Sequence, residues 1–324
     1  MQARIIAFIV FAIAVSAPHS VHAQAYPAKP IRLILNVSVG VVADILMRTA
    51  GAQLAQQMGQ PWVIENRQGG NFVIGATACK NASADGYTVC LVNLESMSTN
   101  PHVFARLPYD PDKDFAPITN LYYQVSGIVV SPALSVGTVA DLQALAVAKP
   151  GSLNFSTLGP GSNSDILRQW LGERWNTQML GVPYKGMNLI VNALVSGESD
   201  LTLTSIGTVG AQLGKLKLLA INSAKRSQRL PAVPTFAEAG LAEYLDLLGL
   251  SWWGLVAPAG VPDAIIQRLN AEFVRLAREP SFADLMDRQF LEPAVSSSTQ
   301  FAAFLKADRG RVGKVVKKFN FPRQ

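Results

Sequence analysis

The sequence predicts an α/β protein with two lobes, each a mixed sheet flanked by helices. Strand-like apolar runs alternate with helix-like segments over most of the 324 residues, which is typical of parallel or mixed sheets covered by helices. The chain is too long for one average domain, and 49% of its residues are hydrophobic, which is ample for packed cores. The alternation also restarts near the middle of the chain, so we expect two α/β units.

The first unit opens with three predicted strands separated by two predicted helices. The strands are Ile31–Leu35, Trp62–Ile64 and Tyr87–Val92, and the helices lie near Asp44–Gln57 and Val73–Lys80.

The second unit repeats this alternation with eight segments. The predicted strands are Gly127–Val130, Leu153–Phe155, Met179–Val182, Asp200–Thr204 and Leu216–Ile221, and the predicted helices are Val139–Ala148, Ser164–Arg174 and Met187–Val195.

The C-terminal part is predicted to be mostly helical and to return to the first unit. Apolar residues recur at helical spacing in Ile265–Leu276 and Phe301–Val316, and such faces need a surface to pack on. The remaining chain is too short for a third domain, so it is expected to cross back to the first lobe. The predicted bounds are 24–124 plus 248–324 for the first lobe and 125–247 for the second, with hinge crossings near 121–126 and 250–256.

The N-terminus is typical of a secretory signal peptide, residues 1–23. A basic Arg4 precedes the apolar run Ile5–Val15, and small Ala23 follows Val21 by two positions, which predicts cleavage after Ala23. The apolar run is well short of the roughly 20 residues needed to cross a bilayer. We therefore expect an exported, soluble mature protein.

The charge pattern gives little support for nucleic-acid binding. The formal net charge is +6, and the basic residues are scattered except for Lys314, Lys317 and Lys318. Such a cluster is more often a solvated helix face than a recognition surface.

Cysteine and histidine are scarce, which bounds the possible chemistry. Cys79 and Cys90 could form a disulfide in an oxidising compartment, or remain two buried thiols. With His19 and His22 in the predicted signal peptide, His102 is the one remaining imidazole. The sequence has no G-x-S-x-G, H-E-x-x-H or Walker motif, so neither catalytic residues nor a cofactor or metal site is expected.

A series of short motifs in a fixed order resembles one known family. The motifs are YPAKPIRLI at Tyr26–Ile34, ENRQGG with IGA at Glu65–Ala76, ADGYT at Ala84–Thr88, LPYDPDKDFAPIT at Leu107–Thr119, VPYKG at Val182–Gly186, SAKRS at Ser223–Ser227, LPAVPTFAEAG at Leu230–Gly240 and WWGLVAPAGVP from Trp252. Together they resemble the extracytoplasmic solute receptors of tripartite tricarboxylate transporters, the Bug family. The resemblance extends over nearly the whole mature chain.

The resemblance implies a two-lobed periplasmic-binding-protein (Venus-flytrap) fold, expected to be a monomer and not an enzyme. It implies a small organic acid as ligand and the subunits of a membrane permease as partner. In this family the ligand carboxylate is held between the lobes by backbone groups, hydroxyls and water, and usually not by arginine. A second interpretation is an extracytoplasmic sensor or orphan receptor with the same fold. A third, an exported hydrolase or isomerase, has His102 as its one candidate residue and no nucleophile motif.

The first predicted contact segment is the turn Asn36–Asp44, which joins a strand to a helix. A turn of this kind directs backbone N–H groups into one small space, where an anion can bind. Family members commonly carry a Pro-Phe-Pro-Pro-Gly-Gly-like turn here, whereas this chain has valines, which favour a ligand with a hydrocarbon or aromatic body. The candidate residues in this turn are Ser38, Gly40, Val41, Val42 and Asp44.

The second predicted contact segment lies in residues 156–170, again between a strand and a helix. Its candidate residues are Gly161, Ser162, Asn163, Ser164 and Asp165. Gly161 lets the backbone turn, and a plain N-cap explains any single one of Ser162, Asn163 and Ser164 equally well, although three in a row favour binding. Asp44 and Asp165 could recognise a ligand ammonium, but capping of their own helices is the simpler interpretation.

Three further candidates lie at strand ends or in the VPYKG motif. Asn93 and Ser205 each end a predicted strand, and Tyr184 is expected to form a pocket wall. Open α/β sheets bind ligands at the carboxyl ends of their strands.

Overall fold

The computed structural model describes residues 26–318 as two mixed β-sheets covered by helices. The predicted fold class is therefore confirmed. The predicted signal peptide and its cleavage site after Ala23 lie outside the described residues.

Eleven strands and eleven α-helices make up the described chain. The strands are β1 (Ile31–Leu35), β2 (Trp62–Asn66), β3 (Thr88–Asn93), β4 (Phe115–Gln124), β5 (Ser126–Val130), β6 (Asn154–Thr157), β7 (Leu180–Pro183), β8 (Leu201–Ser205), β9 (Lys217–Asn222), β10 (Ser251–Pro258) and β11 (Leu291–Pro293). The helices are α1 (Val42–Met58), α2 (Val73–Lys80), α3 (Asn100–Val103), α4 (Val139–Ala148), α5 (Asn163–Arg174), α6 (Met187–Ser196), α7 (Ile206–Val209), α8 (Ala242–Leu248), α9 (Asp263–Ala277), α10 (Pro280–Arg288) and α11 (Ser298–Lys318).

Each sheet combines parallel and antiparallel pairs. Sheet A has the order β11-β4-β10-β3-β1-β2, in which β1 is parallel to β2 and β3 while β10 is antiparallel to β3 and β4. Sheet B has the order β7-β6-β8-β5-β9, in which β6 is parallel to β7 and β8 while β5 is antiparallel to β8 and β9. The parallel strands β1 and β6 lead into the two predicted contact segments, at 36–44 and 156–165.

The chain changes sheet between Gln124 and Ser126 and has returned to sheet A by Ser251. All of β10 pairs within sheet A, so the aromatic run at 252–253 lies inside a strand. The lobe bounds 24–124 plus 248–324 and 125–247, and the crossings near 121–126 and 250–256, stay predictions.

The C-terminal helices pack on sheet A. α9 contacts α1 and β4, and α11 contacts β4. Trp252 connects β10 to α11 through an indole N–H bond of 2.9 Å to the Asp308 carboxylate and edge contacts with Phe301 and Phe304. These aromatic contacts bury the apolar face of α11 against sheet A, as the helical spacing of its apolar residues predicts.

A disulfide joins helix α2 to sheet A. Cys79 in α2 and Cys90 in β3 are bonded, and both are buried. The bond ties α2 to the strand that leads to the cavity.

A π-helical turn, Glu95–Thr99, follows β3 directly and continues into α3. The Oδ1 atom of Asn93 accepts both the N–H and the hydroxyl of Ser96, and Tyr109 donates to the Ser96 carbonyl at 2.6 Å. Arg309 of α11 donates to the Met97 carbonyl at 2.7 Å. These bonds fix the position of Glu95 at the carboxyl end of β3.

Within residues 26–318, none of the helices has both the length and the apolar character needed to cross a membrane.

Candidate functional site

A cavity of about 120 Å³ lies between sheet A and sheet B. Its wall is formed by the segments that follow β1, β2 and β3 on one side and β6, β7 and β8 on the other. These are the carboxyl ends of the parallel strands, where open α/β sheets bind ligands. Since one water needs roughly 10–15 Å³ by this measure, the cavity can hold a small molecule.

The sheet A side of the wall includes the start of helix α1. Val41, Val42 and Ala43 line the cavity, and the N-cap residue Val41 provides no side-chain hydrogen bond to the helix. The N–H groups of a first helical turn have no carbonyl partner within their own helix. The start of α1 is therefore able to bind an anion at the cavity wall.

The sheet B side includes the start of helix α5. Ser162, Asn163 and Ser164 line the cavity. The Ser162 hydroxyl caps the helix by accepting the Asp165 N–H at 3.4 Å, and it donates to the Gly159 carbonyl at 2.7 Å. Tyr244 of α8 donates to the Asn163 side-chain oxygen at 2.5 Å and so holds that residue in place.

The two turns share one internal arrangement. Asp44 accepts the Gly40 N–H at 2.9 Å, and Asp165 accepts the Gly161 N–H at 3.0 Å. Both glycines have positive φ, of 84° and 74°, which suits glycine. In each turn, therefore, the aspartate closes a loop back onto a glycine four residues earlier.

Each of these aspartates is also paired with an arginine on its own helix. Arg48 donates to Asp44 at 3.0 Å, and Arg168 donates to Asp165 at 2.7 Å. Burial would raise the pKa of Asp44, but hydrogen bonds from Arg48, Gly40 and Asn66 outweigh it and hold that pKa below its usual value. Both carboxylates are neutralised away from the cavity.

Glu95 is the acidic side chain on the cavity wall among the described residues. It is 7% exposed, and its Oε2 accepts the Asn93 side-chain N–H at 2.7 Å. Burial raises the pKa of the Glu95 carboxyl to about 7, although hydrogen bonds from its own backbone amide and from that of Asn163 lower it. Because Asn163 begins α5, this carboxyl reaches from sheet A to the helix start on sheet B.

Among the described residues, none of the titratable groups around the π-helical turn Glu95–Thr99 offsets the charge of the Glu95 carboxylate. Tyr244 of α8 has a pKa well above its usual value because of burial and the nearby Glu95. His102 of α3 contacts the Arg309 carbonyl at 3.0 Å, and the Arg309 guanidinium binds Met97 and Asp112. Lys185 is the basic residue on the described cavity wall, and no ion pair joins it to Glu95 within residues 26–318.

Several buried polar atoms on the wall have no hydrogen-bond partner among residues 26–318. They are Oγ of Ser205, Nε1 of Trp253, Oδ1 of Asn36 and Oδ1 of Asn71. Buried polar atoms are normally paired, so these four atoms lack the partner that a ligand or water could supply. The hydroxyl and the indole N–H can both donate to a carboxylate.

Polar residues such as Gln124, Ser126, Thr204 and Thr208 also line the cavity, but apolar groups contribute more of its exposed surface. The contributing residues include Val37, Val42, Phe72, Leu158 and Leu203. A ligand with a hydrocarbon or aromatic portion would bury apolar area against them.

Eight of the thirteen predicted site residues line the cavity. They are Ser38, Val41, Val42, Ser162, Asn163, Ser164, Tyr184 and Ser205. Direct contact of these residues with a ligand stays a prediction.

The other five predicted residues, Gly40, Asp44, Asn93, Gly161 and Asp165, are not on the cavity wall. Within each turn the glycine N–H is hydrogen-bonded to the aspartate carboxylate, Gly40 to Asp44 and Gly161 to Asp165. Asn93 lies one layer behind the wall, where it is fully buried and binds Glu95 and Ser96. These residues shape the wall without forming it.

Sequence reasoning missed Glu95 and the segment Gln68–Phe72, which also lines the cavity. Glu95 is the one carboxylate between Asp85 and Asp110, and its isolation among the otherwise uncharged residues 86–105 was a usable signal. The segment lies partly in the ENRQGG motif, and four of its residues, from 69 to 72, have positive φ. Such consecutive left-handed conformations mark a constrained turn.

The fold and the cavity define a two-lobed protein that encloses a small ligand between its sheets. The family model described as "Tripartite tricarboxylate transporter family receptor" matches residues 46–321. The chain belongs to this family of receptors.

Individual relatives agree with this assignment. The chain is 29% identical to Protein BugT of Bordetella pertussis over 300 residues, which cover 92% of this chain and 91% of that protein. A structure of an R. palustris protein with adipate has a TM-score of 0.87 at 28% identity, covering 92% of this chain and 100% of that one. MatC from Rhodopseudomonas palustris with bound malate has a TM-score of 0.82 at 26% identity, covering 90% and 100%.

Replacing Glu95 by glutamine should remove a pH dependence of folding stability. The carboxyl has an ordinary pKa of 4.5, and folding raises it to about 7. Both states are protonated below pH 4.5, so the charge costs nothing there; stability falls as the pH rises from 4.5 to 7. Above that window the full cost is about 3 kcal/mol. Urea unfolding should show the wild type losing stability relative to Glu95→Gln across this window, and parallel profiles would contradict the assignment.

Proposed function

We propose that this chain is a periplasmic receptor that captures a small organic acid between its two sheets and delivers it to a tripartite tricarboxylate-type permease. The observation that carries the proposal is the cavity between the sheets, with the starts of α1 and α5 on its wall, in a chain of this receptor family. The proposal includes export with cleavage after Ala23, and action as a monomer without catalysis.

The anion-binding capacity of the cavity supports a carboxylate ligand. Unpaired amides of α1, the Ser205 hydroxyl and the Trp253 indole can all donate hydrogen bonds. The two similar structures mentioned above contain adipate and malate, both of which are small carboxylates. Backbone and hydroxyl donors can bind a carboxylate without an arginine.

Closure of the two sheets around the ligand would be the signal that the permease detects. A ligand that contacts both sides stabilises the closed state by its differential affinity for that state. Contacts across the cavity are tight: a Cβ at Gly186, which follows β7, would lie 2.8 Å from the Ser38 hydroxyl, which follows β1.

Thermal melting with a panel of organic acids tests the proposal. The protein is first denatured and refolded to remove any ligand carried through purification. An acid present at 100 times its Kd should stabilise the folded protein by roughly 2.7 kcal/mol, which is readily seen as a higher Tm. The panel includes monocarboxylates, dicarboxylates, tricarboxylates, aromatic acids and amino acids. If none of them raised the Tm, the carboxylate assignment would fail.

The variant Gly186→Ala tests whether closure is needed for binding. Gly186 has an extended backbone with φ of −169°, so alanine is allowed there. The added methyl group would lie 2.8 Å from the Ser38 hydroxyl across the cavity and 2.9 Å from the side-chain oxygen of the neighbouring Asn188. Overpacking of this kind costs about 1–3 kcal/mol, so we expect the Kd for the bound acid to rise about fivefold or more.

Gly210→Ala is the matched control for Gly186→Ala. A Cβ at Gly210 would have no atom within 4 Å, and its φ of −51° also accepts alanine. The Kd should therefore be that of the wild type. Equal affinity in both variants would show that closure at Gly186 does not contribute to binding.

A further inference from the structure

Glu95 places a carboxyl of the protein at one of the two helix starts on the cavity wall. The residue lines the cavity, is 7% exposed, and is held by the Asn93 side chain at 2.7 Å. Its carboxylate also interacts with the backbone amide of Asn163, the first residue of α5. A buried carboxyl of the protein therefore lies on the cavity wall beside Asn163, close to where an incoming anion would approach α5.

Two further side chains at the start of α5 also accept hydrogen bonds from backbone N–H groups. The Ser162 hydroxyl accepts the Asp165 N–H, and the Asp165 carboxylate accepts the Gly161 N–H. Amides at Gly161, Asn163 and Asp165 are thus all directed to acceptors within the protein.

The start of α1 differs in this respect. Its N-cap residue, Val41, has no side-chain acceptor, and the nearby Asp44 carboxylate is bound to Gly40, Arg48 and Asn66. The amides of the first turn of α1 are left for a ligand carboxylate. The Ser205 hydroxyl and the Trp253 indole N–H belong to residues of the same wall, have no partner among the described residues, and are a second pair of donors that a polar ligand group could use.

A second ligand carboxylate near α5 would meet an uncompensated like charge. No basic side chain forms an ion pair with Glu95 within residues 26–318. Two carboxylates a few ångströms apart in a space with little water repel strongly. Val37, Val42, Phe72 and Leu203 give the cavity wall apolar surface against which the body of a ligand can pack.

We propose that Glu95 makes this cavity selective for monocarboxylates over dicarboxylates. The single ligand carboxylate binds at the start of α1, and the apolar body of the ligand extends along the wall toward Glu95. This inference rests on the proposed function, because it needs an organic acid to bind between the sheets. It separates this chain from the two similar structures that contain the diacids malate and adipate.

Calorimetric titration with matched acid pairs tests the selectivity. The pairs are hexanoate with adipate, octanoate with suberate, and benzoate with terephthalate; within each pair the second acid carries one more carboxylate. The purified and refolded protein is titrated at about pH 8, where the Glu95 carboxyl is ionised. For the pair that binds best, we expect the monocarboxylate to bind at least tenfold more tightly in the wild type.

Two variants identify the residue responsible. Glu95→Gln keeps the size of the side chain and removes its charge, and it should reduce the preference to about threefold or less by tightening diacid binding. Glu173→Gln removes an exposed carboxylate at the other end of α5 and should keep the wild-type preference, which controls for net charge.

The outcomes separate the inference from the function on which it rests. A wild-type protein that binds diacids as tightly as monoacids overturns the selectivity while leaving the carboxylate receptor intact. The same conclusion follows if Glu95→Gln folds and retains the full preference. If no acid of any pair binds, the proposed function fails, and the inference fails with it. If Glu95→Gln does not fold, the ratio of monocarboxylate to dicarboxylate affinity in the wild type still tests the selectivity.

Discussion

The first-turn amides of two helices face one small cavity, and much of the surrounding structure serves this arrangement. Because such amides have no carbonyl partner in their own helix, they must be paired with a side chain, water or a ligand. Parallel strands β1 and β6 bring α1 and α5 to the cavity from opposite sheets. In each turn an aspartate binds a glycine amide and an arginine, so the strand-to-helix connection is fixed without placing an acid on the wall.

The two ends of the cavity are built alike but are not equivalent. The start of α5 has the Ser162 hydroxyl as a side-chain acceptor and the Glu95 carboxyl on the wall beside it, whereas Val41 gives α1 no side-chain acceptor. This asymmetry depends on the π-helical turn after β3, since the bonds from Asn93, Tyr109 and Arg309 hold that turn in place. A buried carboxyl without an ion-pair partner destabilises a folded protein at neutral pH. Its presence in the cavity is most simply explained by a role in choosing the ligand.

Close packing between the two sides leaves little freedom in how the cavity closes. A Cβ at Gly161 would lie 2.9 Å from Val103, and one at Gly207 would lie 2.5 Å from the Gln289 carbonyl oxygen. Together with Gly186 against Ser38, these contacts position small residues of the sheet B side against the sheet A side. The size of the space for a ligand is therefore limited by how closely these glycines approach the sheet A side.

Much of the fold follows from local patterns in the sequence. The bounds of β1, α2 and α4 agree with the expectation to the residue, because apolar runs and periodic helical faces mark them clearly. The long strands β4 and β10 were not anticipated, since their pairing is antiparallel and non-local. Periodicity cannot reveal pairing of that kind.

The candidate site was predicted in part, and the limits have a physical cause. The strand-to-helix turns point to the cavity, so Val42 and Ser162 were found from sequence. Sequence does not show which way a side chain turns, so Asp44 and Asp165 were included although they bind within their own turns. Glu95 stands out in the sequence as an isolated charge, but its place on the cavity wall depends on the π-helical turn Glu95–Thr99, which periodicity does not reveal.

The most direct test of this account is a crystal structure at about pH 8 with the acid that binds most tightly. The account predicts a single ligand carboxylate at the amides of Val42 and Ala43, with the Glu95 side chain still facing Asn163. A ligand carboxylate bound at Asn163, with Glu95 displaced from it, would contradict the account.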